Sequence, residues 1–153
     1  MYMQLQEEES VTESVTESVT ETVTLFDKYH KEIAKLVTVD EFNMKQVQMD
    51  LPANRHYWVG RLMFHKNEIA KLRKTRKIAI TKVVDRLKGD SPLALTPKTL
   101  EASAEQHPLL IKIDEQLAEN EMLVEYLTKI ENNFRSISYD IKNLIDIVRL
   151  ETT

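Results

Sequence analysis

Between Arg55 and Lys88 the chain gathers the residue types best suited to hold a polyanion. Arg55, Arg61, Lys66, Lys71, Arg73, Lys74, Arg76, Lys77, Lys82, Arg86 and Lys88 are opposed only by Glu68 and Asp85. The local balance is +9 while the whole chain carries −4, so the remaining residues hold −13. Charge segregated in this way sets up a strong local field, and a nucleic-acid backbone is its natural counterpart. At about 100° per residue on a helix, Arg55, Lys66, Arg73 and Lys77 fall within about 40° of one another, with Lys74 and Lys88 further round. Arg61, Lys71, Lys82 and Arg86 take the other flank. Such rows can follow successive phosphates, and a guanidinium such as Arg73 can grip one through two N–H groups. Tyr57, Trp58 and Phe64 lie in the same stretch and could stack on unpaired bases.

A plainer reading stands beside this one. A basic helix can be a solvated face, or it can pair with acidic residues of a second helix. Trp58 and His65 are then core residues, and Arg76 serves an interhelical pair. Phe64, off the main seam, remains the better stacking candidate.

Catalytic chemistry finds little support. His30, His56, His65 and His107 are scattered, with no His-Glu-x-x-His pair for zinc, and Asp27-x-x-His30 is only a two-ligand fragment. Gly60 and Gly89 are the only glycines, too few for a phosphate-cradling loop. Ser136 and Ser138 sit in a helical pattern without a neighbouring histidine. Glu115, Glu119, Glu121 and Glu125 read as a solvated helical surface. Cysteine is absent, which removes disulfides and thiolate chemistry together and fits a reducing cytosol. The sequence therefore predicts no enzyme, no cofactor and no metal. No apolar run approaches the roughly 18 residues of a membrane span, and residues 1–9 lack a secretory pattern.

The elements that must position the basic residues are helices. With two glycines and four prolines in 153 residues, tight turns are scarce. Phe26, Tyr29, Ile33 and Leu36 recur at steps of three and four, which predicts a short amphipathic helix over residues 25–37. Residues 38–49 lose that rhythm and read as extended or irregular. Asp50 as cap and Pro52 in the first turn predict a long helix starting there, and Gly89 predicts its end. Along it Trp58, Leu62, His65, Ile69, Leu72, Arg76, Ala79 and Val83 form a heptad seam, with Gly60 inside the pattern. Residues 89–107, with Gly89, Pro92 and Pro97, are a connector. A second long helix is expected from Pro108 nearly to the C-terminus. Its apolar line runs through Ile113, Leu117, Val124, Leu127, Ile130, Phe134, Ile137, Ile141, Leu144 and Val148, widened by Leu123, Ile145 and Ile147. Two such rods do not easily cover each other in a monomer, so self-association is expected.

Residues 1–24 form a low-complexity acidic arm built on repeated Ser-Val-Thr-Glu, with six glutamates and no base. The composition predicts disorder. Its charge also suggests competition with nucleic acid for the Arg73–Lys77 patch.

The order of parts resembles the UvsY-type recombination mediators of tailed phages. The resemblance runs from about Leu25 to Thr153. It rests on Leu51-Pro-Ala-Asn-Arg-His-Tyr-Trp, on Lys71-Leu-Arg-Lys-Thr-Arg-Lys, and on the closing stretch Leu127 to Asp146. The family's DNA-linked basic segment corresponds to Ile80-Thr-Lys-Val-Val-Asp-Arg, which keeps Lys82 but has valine where a second base is common. The resemblance implies a heptamer-like homo-oligomeric ring that binds single-stranded DNA. It further implies loading of a RecA-like recombinase onto DNA covered by a single-strand-binding protein, in the cytoplasm of an infected bacterium. Together these readings predict an all-α chain: residues 1–24 as the arm and 25–153 as one helical domain for DNA binding and assembly. DNA binding falls to Arg55, Lys66, Arg73, Lys74, Arg76, Lys77 and Lys82, and assembly to Phe134, Ile137, Ile141, Leu144 and Val148. The alternative is a non-enzymatic helical adaptor that binds no nucleic acid.

Overall fold

The computed structural model of the chain describes residues 23–153 apart from Pro92. Among them are helices α1 (Leu25–Val37), α2 (Met44–Asp90), α3 (Pro97–Glu105) and α4 (Pro108–Glu151), with no strand. The chain is all-α, with two long helices, as expected. The described residues fall into two units, 23–35 and 36–153, so the division falls within α1. Of the acidic arm expected over residues 1–24, residues 1–22 lie outside the described residues.

The helix α1 coincides with the predicted span. Thr24 and Asp27 start it by a reciprocal exchange: Asp27 N–H donates to Thr24 Oγ1 at 3.1 Å, and Thr24 N–H donates to Asp27 Oδ2 at 3.0 Å. Tyr29 and Ile33 are its buried residues.

The helix α2 begins earlier than predicted, and residues 44–49, expected to be irregular, are helical. Asp50 is not the cap; its carboxylate accepts from the Gln46 side-chain amide at 2.9 Å. The chain is turned instead by Asp40 and Asn43. Asp40 Oδ1 accepts from Phe42 N–H at 2.8 Å and Asn43 N–H at 2.9 Å, while Asp40 N–H donates to Asn43 Oδ1 at 2.8 Å. Pro52 lies inside the helix on its exposed side, where the carbonyl left without a donor can turn to water. Gly89 does not end it either: the helix runs to Asp90, and neither glycine takes a positive φ. At 1.5 Å per residue the rod is about 70 Å long.

Its inner face is the heptad seam read from the sequence. Trp58, Leu62, His65, Ile69, Ala79 and Val83 are buried, with Leu72 and Arg76 half-buried. The connector holds α3, capped by Thr96, whose hydroxyl accepts from Thr99 N–H at 3.3 Å. Pro108 opens α4 as predicted, and His107 Nδ1 caps it by accepting from Leu109 N–H at 3.1 Å.

Cross-helix bonds fix how α4 lies on α2. Arg55 meets Glu131, His65 meets Asn120 and Arg76 meets Asp114, so one numbering falls as the other rises. The two helices are an antiparallel hairpin. At the connector end, Ala79 and Val83 of α2, Ala104 of α3, and Leu110 and Ile113 of α4 form one buried cluster. Small alanines there let three helices approach closely, and burial of apolar area supplies the driving force.

Candidate nucleic-acid interface

All seven predicted DNA-binding residues lie on α2, but the hairpin sorts them into two sets. The three arginines sit at the edge of the seam and reach carboxylates of the neighbouring helices. Arg55 Nη2 donates to Glu131 Oε1 at 3.2 Å, and Arg73 Nη2 to Glu121 Oε1 at 3.1 Å. Arg76 makes the two-pronged contact with Asp114, at 2.7 Å and 3.2 Å, and has Glu105 of α3 at 3.9 Å. The four lysines, Lys66, Lys74, Lys77 and Lys82, are exposed and have no ion pair among the described residues. Lys66 and Lys77 lie about 20° apart on one flank with Lys74 beyond them, while Lys82 faces the other flank.

The ion pairs leave electrostatic traces. The hydrogen bond to Asp114 raises the Arg76 pKa above its ordinary value, and the same bond holds the Asp114 carboxyl below the usual range. Burial pushes Glu131 upward, yet hydrogen bonds from Arg135 and Arg55 more than reverse it, and its pKa is lowered. Glu131 joins Arg55 to Arg135, the latter at 2.8 Å. Arg55 Nε is buried without a hydrogen-bond partner, although the side chain as a whole is 40% exposed.

Two exposed rings share α2 with these cations. Tyr57 is 48% exposed and packs edge-on against buried Trp58, with centroids 5.0 Å apart at 90°. Phe64 is 49% exposed and packs edge-on against buried His65, at 5.2 Å and 84°. His65 Nδ1 lies 2.8 Å from Asn120 Oδ1, so a polar contact within the seam fixes this ring. The Arg61 guanidinium lies 5.5 Å from the Tyr57 ring centroid.

The residues predicted for assembly divide as well. Phe134, Ile137 and Ile141 are buried within the chain, whereas Leu144 and Val148 are half-buried. Sequence reasoning missed an open apolar groove of about 300 Å³ lined by Met44, Met49, Ile141 and Ile145, with Lys45 and Gln48 at its side. It also missed the acceptors Glu105, Asp114, Glu121 and Glu131. Their signal was present: Asp114, Glu121 and Glu131 ascend α4 as Arg76, Arg73 and Arg55 descend α2. Among the described residues no group of three histidine, aspartate or glutamate side chains is placed to hold a metal, and no helix is long and apolar enough to cross a membrane.

No protein-family model matches the chain, and no curated protein matches it by sequence. Solved structures do match. Three crystal structures of the bacteriophage T4 recombination mediator protein UvsY align over most of both chains. Lattice type IV gives a TM-score of 0.72 at 16% identity, covering 84% of this chain and 99% of that one. Type II gives 0.70 at 15%, covering 85% and 99%, and type I gives 0.66 at 15%, covering 80% and 97%. The resemblance read from the residues therefore holds at the level of three-dimensional structure, and the chain has a UvsY-like fold.

Proposed function

We propose that the chain is a recombination mediator. It binds single-stranded DNA as an oligomeric ring and promotes loading of a RecA-like recombinase in place of single-strand-binding protein. One observation carries the strand-binding part: with Arg55, Arg73 and Arg76 paired to carboxylates, Lys66, Lys74, Lys77 and Lys82 are exposed without a counter-ion among the described residues. A ring multiplies these few phosphate contacts into avidity, and a strand held along successive copies of α2 is extended and open to a recombinase. The likeness to a recombination mediator over nearly the whole of that protein supports the remainder. The alternative adaptor draws on the same ion pairs, since Arg55, Arg73 and Arg76 already have internal partners.

Binding of labelled oligo-dT across a salt series separates the two readings. Four phosphates neutralised per protomer give a log–log slope near −3 for each engaged protomer, at about −0.7 per phosphate. Changing Lys66, Lys74, Lys77 and Lys82 together to alanine should remove that slope and leave helicity and solution mass unchanged. An adaptor without affinity for DNA shows no binding at any salt. Wild-type affinity in the quadruple variant would show that the surface lies elsewhere.

A further inference from the structure

We infer that Tyr57 and Phe64 are a nucleobase-stacking site, taking unpaired bases of a strand whose phosphates Lys82 and the other cations of the same flank hold. The inference rests on the strand-binding reading above and adds to it a second chemistry, recognition of bases. The two rings lie seven residues apart, two helical turns, on nearly the same bearing of α2. About 10.5 Å of rise separates them, so one strand can reach both. Each is half exposed, and each is braced edge-on by the buried ring that follows it in sequence, Trp58 or His65. Scattered exposed aromatics are ordinary on a protein surface. Here the unit of exposed ring on buried ring repeats at the heptad interval, so the seam that builds the hairpin also sets the orientation of both platforms.

The surroundings say what such platforms would hold. Arg61 lies between them in sequence, its guanidinium beside the Tyr57 ring and its Nε donating to the Tyr57 hydroxyl at 3.3 Å. Lys71, Lys82 and Arg86 continue along the same flank, within about 80° of bearing; all three are exposed, and Lys71 is paired with Glu68 at 2.7 Å. Alternating rings and cations fit a flexible polyanion with free aromatic faces, which is a single strand. A duplex keeps its bases stacked on one another and offers only its charge.

The test compares three labelled probes on the full chain at one salt concentration: oligo-dT, a base-free deoxyribose-phosphate strand of equal length, and a duplex. The wild type should bind oligo-dT at least tenfold more tightly than the base-free strand. Tyr57→Ala with Phe64→Ala should weaken oligo-dT binding by roughly fivefold or more per ring, leaving the base-free strand and the salt slope unchanged. Tyr57→Phe with Phe64→Tyr should restore the preference. Equal wild-type affinity for oligo-dT and the base-free strand overturns the stacking site while phosphate binding stands. Binding of neither probe overturns strand binding itself, and the stacking site with it. If the alanine variant loses solution mass, the rings pack between copies of the chain, and the stacking assignment falls.

Discussion

The connector end of the α2/α4 hairpin and its opposite end are made of different materials. Near the connector, Ala79, Val83 and Ala104 bring three helices together over Leu110 and Ile113, and Arg76 is held by Asp114. At the opposite end, Met44, Met49, Ile141 and Ile145 line an open groove, and Phe42, Ile147 and Leu150 stand exposed. The connector end closes a three-helix cluster, with Leu93, Leu95, Leu109 and Ile111 exposed around it; the opposite end leaves its groove open. Contiguous exposed apolar surface of this kind marks interaction sites more often than it marks accident. A related contrast divides the seven candidate cations of α2, with Arg55, Arg73 and Arg76 paired to carboxylates of neighbouring helices and Lys66, Lys74, Lys77 and Lys82 without an ion pair among the described residues.

The largest expected effect comes from truncating one side chain at each end. Leu110 is fully buried, and Leu110→Ala should cost about 2–5 kcal/mol, read as a lower midpoint in urea or thermal unfolding. Met49 is 66% exposed, and Met49→Ala should change stability by less than about 0.5 kcal/mol. If both substitutions destabilise alike, the open groove is as much a part of the folded chain's stability as the closed cluster, and the contrast is lost.

Acid should act on the ion-paired carboxylates in particular. The Asp114 and Glu131 carboxyls are both held below their ordinary values in the folded chain. A depressed folded pKa contributes stability that is full above the unfolded value and is lost as pH falls through the folded one. Unfolding midpoints should therefore stay flat near neutrality and fall once pH drops below the ordinary carboxylate range. Asp114→Asn with Glu131→Gln should flatten that fall. The effect is smaller than a core truncation, because the Asp114 side chain is 42% exposed and water screens its pair. An unchanged acid limb in the double variant would show that these pairs contribute nothing to folding.

Much of this arrangement was legible in the residues. The α1 span follows directly from the spacing of Phe26, Tyr29, Ile33 and Leu36, and the α4 start from Pro108. The α2 seam was legible too, including its polar members His65 and Arg76, because a heptad is a property of one helix alone. The start of α2 was not, because Asp50-x-Pro52 carries a strong local signal that the Asp40/Asn43 exchange upstream overrides. Nor was the sorting of the cations. Which arginine finds a carboxylate depends on the register of α4 against α2, and periodicity within a single helix contains no such register. Burial of Phe134, Ile137 and Ile141 within the chain has the same origin: a stripe identifies a packed face without saying what packs on it.

Arg73 stands at the border between the two sets, and it offers the smallest and most specific test. Its pair with Glu121 is open to solvent on both sides, with side chains 64% and 53% exposed, unlike Glu131, whose side chain is 17% exposed. An exposed pair of this sort holds by about 0.2–1 kcal/mol, so a phosphate can displace the carboxylate at little cost. On the proposed strand-binding reading, Glu121 is a weak internal competitor for the strand. Glu121→Gln should strengthen oligo-dT binding by about 1.5- to 5-fold at low salt and steepen the salt slope by at most about 0.7, one further phosphate. The thermal midpoint should hardly move. Asp114→Asn should behave differently, since the two-pronged Arg76 contact also ties the connector end together: stability falls, with less gain in binding. Equal gains from both substitutions would mean that exposure does not separate reserve cations from structural ones, and that the boundary between the two sets is drawn in the wrong place.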